Sequence, residues 1–168
     1  VAAWHGIRAP WLGVRQTWKL LSALKLIDQD IVDNIYSLPP TAWDEQFSEK
    51  LYRHVAKRKL YITNLAKCTQ PDARHLSDSV FRAYLPQTHY EIARVRPKKI
   101  ITLDNQVSSV LLSRPISVSQ YPATEFEILV VGGQEFREYP TYYPVGQGQR
   151  NMTKAVQRIK TIMALSCF

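Results

Sequence analysis

Apolar residues recur at helical spacing early in the chain: in VRQTWKLLSALKL, Val14, Trp18 and Leu21 share one face, which predicts an amphipathic helix. The prolines of SLPP end that pattern, and Thr41 with Asp44 form a capping box for the next helix. Trp43, Phe47, Leu51 and Val55 then follow at four-residue intervals as one buried stripe. Leu60 to Leu65 reads as a short buried strand. A loop from Thr69 to Leu76 leads into helical residues that run to Arg96, interrupted at Pro86. KKIITLD is the next strand, with Asn105 capping the helix NQVSSVLLS. FEILVV is another strand, ending at Gly132 and Gly133, and REYPTYYPVGQGQR is extended and opens into a Gly-rich loop. The last helix, Met152 to Met163, carries Val156, Ile159, Ile162 and Met163 on one face.

This alternation of helix and strand, without repeats or flexible linkers, predicts a single α/β domain over residues 1–168 with a mostly parallel sheet. Ligands of such sheets bind at the carboxyl ends of the strands. Asn64 and the loop from Tyr143 to Arg150 are both expected at such ends.

Composition narrows the class. Hydrophobic residues make up 45% and charged residues 21%, as in a folded globular protein. No run of about 18 apolar residues exists, so no transmembrane helix is expected, and the opening VAAWHGIRAP has no secretory pattern. Lys and Arg total 22 against 14 Asp and Glu, a net charge of +8 that suits an anionic partner such as nucleic acid or belongs to a merely basic protein. Cys68 and Cys167 form neither a disulfide framework nor a CxxC metal site, which points to reduced thiols in an intracellular setting. The histidines lack metal-ligand spacing, VGQGQR lacks the Lys-Ser/Thr of a nucleotide loop, and no Ser sits in a GxSxG elbow. No cofactor is therefore expected. Tyr139, Tyr142 and Tyr143, clustered around Pro140 and Pro144, have the aromatic character that grips single-stranded nucleic acid by stacking.

Four segments in order carry a resemblance: RAPWLGVRQTWKLL, YITNLAKCTQP, EIARVRPKKIITLDNQVSSVLL and YPTYYPVGQGQR. Together, over roughly Gly6 to Lys160, they resemble the uracil-DNA glycosylase superfamily, and within it the bacterial and archaeal family 4 branch. The resemblance implies a three-layer α/β/α sandwich and an enzyme that flips uracil out of DNA and hydrolyses its N-glycosidic bond in repair. Such chemistry needs a stacking aromatic, a carboxamide to pair with the base edge, a donor for the departing oxyanion and a carboxylate for water and the cationic sugar. By motif match, Trp11 would stack the base and Asn64 would read it. Tyr143 would face the leaving oxygen, and Lys67, Gly146, Gly148 and Arg150 would meet nucleic-acid phosphates.

The chain departs from that pattern in three places. Cys68 matches one cluster cysteine of the family, but Tyr84 stands at the fourth position and the N-terminal pair is absent, so no iron-sulfur cluster is expected. Tyr143 replaces the histidine of Pro-Thr-Tyr-His-Pro; a phenol with an ordinary pKa of about 10 also donates a hydrogen bond. The family's first strand and acidic loop should precede Trp11, yet no Asp or Glu occurs before Asp28. Two expectations follow. One is a glycosylase acting on uracil in DNA, or alternatively RNA, without a membrane partner. The other is a catalytically degenerate domain that binds nucleic acid or builds a larger assembly.

Overall fold

The computed structural model describes residues 15–39, 44–68 and 75–165. The chain divides into two compact units, Val1–His75 and Leu76–Phe168.

In the first unit, the predicted apolar stripes become helices α1 (Arg15–Ala23), α2 (Gln29–Ser37) and α3 (Glu45–Lys57). Their inward residues form one cluster: Trp18 and Leu21 from α1, Ile31, Val32 and Ile35 from α2, Leu51 and Val55 from α3. Trp18 has no exposure to solvent. The cap of α3 is displaced from the expected position. Asp44, not Thr41, is the capping residue, and its carboxylate accepts from the Phe47 N–H at 2.8 Å. Thr41 and Trp43 lie outside the described residues.

Leu60 to Leu65 is not a strand. Leu60 and Ile62 do pack against the helical cluster while Tyr61 and Thr63 are exposed, the alternation of a half-buried strand. A strand also needs a neighbour for its backbone groups, and among the described residues none pairs with this segment.

The second unit follows the prediction more closely. The interruption at Pro86 separates α4 (Asp78–Ala83) from α5 (Leu85–Val95), with Pro86 in the first turn of α5 where its missing N–H is harmless. Next come β1 (Ile100–Leu103), α6 (Asn105–Leu111), β2 (Glu127–Val131), β3 (Gln134–Thr141) and α7 (Met152–Ala164). The three strands form a mixed sheet in the order β1-β3-β2, with one parallel and one antiparallel pairing, instead of the mostly parallel sheet expected. β1 and β3 are parallel, as expected, with Leu103 opposite Thr141. β2 and β3 are antiparallel because Gly132 and Gly133, at φ of 58° and 77°, close a two-residue hairpin of the type that needs positive φ twice. Leu129, Val131 and Phe136 on one sheet face pack with Ile92 of α5 and Leu111 of α6.

Two further expectations are corrected. Asp104, not Asn105, caps α6; Asn105 instead accepts from the Val118 N–H at 2.9 Å. On α7 the buried stripe is Ala155, Arg158, Ile159 and Ile162, whereas Met163 is 43% exposed. An arginine holds the inner position because backbone carbonyls receive its guanidinium. Among the described residues, no helix is long and apolar enough to cross a membrane.

Candidate functional site

The parallel pair β1 and β3 ends on one edge, and the Asp104 N–H donates to the Thr141 carbonyl at 2.9 Å just past both strands. The chain therefore delivers Asp104 and the segment Tyr142–Tyr143 to the same carboxyl edge of the sheet. Asp104 sits at φ 114° and ψ 149°, a backbone region that glycine tolerates and other residues rarely enter. Its carboxylate accepts from the Gln106 N–H at 3.1 Å, which holds it at the start of α6. Tyr143 is 42% exposed. Partial burial, and then the negative charge of Asp104, raise its phenol above the ordinary value. The phenol is thus a proton donor throughout the neutral range.

Past Tyr143 the chain turns through buried Pro144 and Val145 into a short 3₁₀ turn, Gly146–Asn151. Both glycines have intramolecular reasons to be there. Gly146 lies at φ 58°, in the left-handed region. A side chain at Gly148 would collide with the Tyr143 carbonyl, and the Gly148 N–H donates to Val145 O at 2.9 Å. The segment expected to meet phosphate thus forms a tight turn folded back onto Tyr143. Arg150 is exposed within it.

Of the residues singled out from sequence, Tyr143, Gly146, Gly148 and Arg150 belong to the second unit, and Tyr143 and Gly148 are in contact. Asn64 and Lys67 belong to the first. Asn64 is exposed in irregular backbone, and the Lys67 ammonium donates to the Asn64 carbonyl at 2.6 Å and to Thr63 Oγ1 at 2.7 Å. Lys67 thus braces its own loop. Trp11 lies outside the described residues, as does Cys167; Cys68 is half-buried.

Two carboxyl groups escaped the reading of the sequence. Asp104 was legible in part, since an acid directly after the strand KKIITL falls at a strand end. Glu138 was not: on the middle strand it has no exposure at all. Thr102 Oγ1 is hydrogen-bonded to Glu138 Oε1 and lies 2.7 Å from Ser108 Oγ, which donates to the Asp104 carbonyl at 2.7 Å. With Glu138 ionised, Thr102 donates to it, and the single Ser108 proton must serve two acceptors. A protonated carboxyl donates to Thr102 instead, Thr102 to Ser108, and Ser108 to Asp104; every link then holds a proton. Oε2 has no hydrogen-bond partner, which a neutral carboxyl tolerates better than a carboxylate. Burial accordingly raises Glu138 to about 7, against the Thr102 hydrogen bond; the charge of neighbouring Glu127 adds to the rise and Arg114 opposes it. Glu127, directly opposite Glu138 across the ladder, is held low by hydrogen bonds from Arg114 and Tyr121.

Among the described residues, no cluster of three or more His, Cys, Asp or Glu side chains is arranged to hold a metal ion. No family model, curated protein or solved structure matches the chain.

Proposed function

We propose that the protein is a uracil-DNA glycosylase-like hydrolase of the N-glycosidic bond, with its reacting groups at the carboxyl edge of β1 and β3. The observation that carries this reading is that Asp104, on strained backbone, lies within electrostatic reach of an exposed phenol, Tyr143, at that edge. Cleavage of the bond leaves an oxyanion on the departing base and positive charge on the sugar. Tyr143, kept protonated, donates to the oxyanion. Asp104 stabilises the sugar cation and orients the attacking water, the task for which the motif pattern offered no carboxylate. The backbone strain at Asp104, a cost of about 1–3 kcal/mol, makes sense if this carboxylate is needed there. The motif resemblance adds Asn64 as the base reader and the three-layer α/β/α sandwich as the complete fold.

A single-turnover assay on an oligonucleotide with one uracil, followed by alkaline cleavage, tests the reading. Asp104→Asn should slow excision by roughly 10²-fold or more, and Tyr143→Phe by about 10²-fold. Asp104→Gly should separate function from stability: the strain is relieved, so Tm rises, while excision is lost. Wild-type protein that leaves uracil in place at excess enzyme would overturn the hydrolase. The net charge of +8 favours a second reading, in which the same domain binds nucleic acid or serves an assembly without cleaving.

A further inference from the structure

Lys154, Gln157, Arg158 and Thr161 recur at three- and four-residue spacing on α7 and, with Tyr142 and Ala123, line an open pocket of about 370 Å³. Arg158 is only 8% exposed. One of its terminal nitrogens donates to the carbonyls of Val118 and Pro140 at 2.7 and 3.1 Å, which fixes the guanidinium in place. The Arg158 guanidinium carbon lies 5.1 Å from the centre of the Tyr142 ring, and Lys154 Nζ lies 5.5 Å from it. Two cations thus converge on one wall of the pocket.

Among the described residues no carboxylate forms an ion pair with Lys154 or Arg158, and no acidic residue lines the pocket. Burial lowers the pKa of Arg158, and only the adjacent Tyr142 works against it. Buried guanidinium groups are ordinarily matched by a carboxylate or a phosphate. The groove between α2 and α3 is a useful contrast. There Arg53 has the carboxylate of Glu49 beside it, and Asp28, which also lines the groove, is paired with Arg58.

We infer that the pocket beside Tyr142 is a binding site for a phosphate group, with Arg158 and Lys154 supplying the charge and the Gln157 amide a further donor. The planar, fixed guanidinium suits two oxygens of one phosphate, and the mobile ammonium suits a third. Thr161 completes the wall; its hydroxyl is already held by the Gln157 carbonyl at 3.2 Å. Tyr142 adjoins the Asp104–Tyr143 edge, but the groups that would hold phosphate, Lys154, Gln157 and Arg158, all lie on α7, so the site stands whether or not that edge cleaves anything.

The test is a titration of inorganic phosphate into the ¹⁵N-labelled full chain at constant ionic strength, against a chloride control. Saturable shifts should concentrate at Tyr142 and the amides of Lys154 to Thr161. Lys154→Glu, at an exposed position that leaves the fold intact, should weaken the affinity by about tenfold or more, and Lys154→Gln by less. Shifts that are scattered and unsaturable, or an affinity unchanged in Lys154→Glu, would overturn the site. A uracil-free oligonucleotide then identifies the source. If it displaces phosphate, the ligand is a nucleic-acid phosphodiester; if phosphate binds and the oligonucleotide does not compete, it is a free phosphorylated molecule. Since neither probe contains uracil, a failure of the glycosylase reading would leave these readouts unchanged.

Discussion

At Glu138 the protonation state decides whether the hydroxyl chain through Thr102 and Ser108 is complete. Its carboxyl binds a proton up to about pH 7 in the folded protein, against an ordinary value of 4.5. Between those values the folded state holds more protons than the unfolded state. Stability therefore falls as pH rises through that window and levels off above it, by roughly 3 kcal/mol in all. Glu127, lowered by Arg114 and Tyr121, titrates below the window and has the opposite sign. Urea unfolding of the wild type at pH 5 and pH 8 should show the loss, and Glu138→Gln should remove most of it. A wild-type profile that is flat or rises over this range would mean that the buried carboxyl is ionised throughout. The hydroxyl chain ends on the backbone of Asp104, so the same proton also supports the residue on which the proposed chemistry depends.

At the scale of elements, helix ends explain much of the local geometry. α3 and α6 each begin on an aspartate whose carboxylate receives an early N–H, at Asp44 and Asp104. α7 ends on a borrowed cap: the Lys99 ammonium donates to the carbonyls of Ile162 at 2.7 Å and Leu165 at 2.6 Å. A cation at that end also complements the helix dipole. Lys99→Met keeps the aliphatic stem and leaves those carbonyls without their donor. Denaturant unfolding should then show a loss of about 1–3 kcal/mol, and amide exchange in the last turn of α7 should accelerate. No change in either would mean that solvent satisfies the carbonyls equally well. The β2–β3 hairpin follows from Gly132-Gly133, and the turn after Tyr143 depends on Gly148 having no side chain.

For the molecule as a whole, a net charge of +8 should make any nucleic-acid complex strongly salt-dependent. If three or more phosphates are neutralised, the logarithm of affinity for single-stranded oligonucleotides should fall against that of salt with a slope of about −2 or steeper. Fluorescence anisotropy between 50 and 200 mM salt would read it, and a slope near zero would remove the electrostatic case for this partner. The sequence by itself determined the mixed α/β class, the helical stripes of α1, α3 and most of α7, the break at Pro86, the strands KKIITL and FEILVV, and the basic charge. The helices follow from local spacing, because a helix closes its hydrogen bonds within four residues, and the two strands are legible as short apolar runs bounded by turn residues. Only the tertiary structure decided that Leu60 to Leu65 has strand-like burial without a ladder among the described residues, since pairing depends on a neighbour remote in sequence. It alone showed that Glu138 is buried beside Thr102 and Ser108, that Asp104 lies within electrostatic reach of Tyr143, and that Arg158 points inward to carbonyls, with no carboxylate paired to it among the described residues. Burial and charge pairing are set by segments tens of residues apart, and no periodicity within one segment records them.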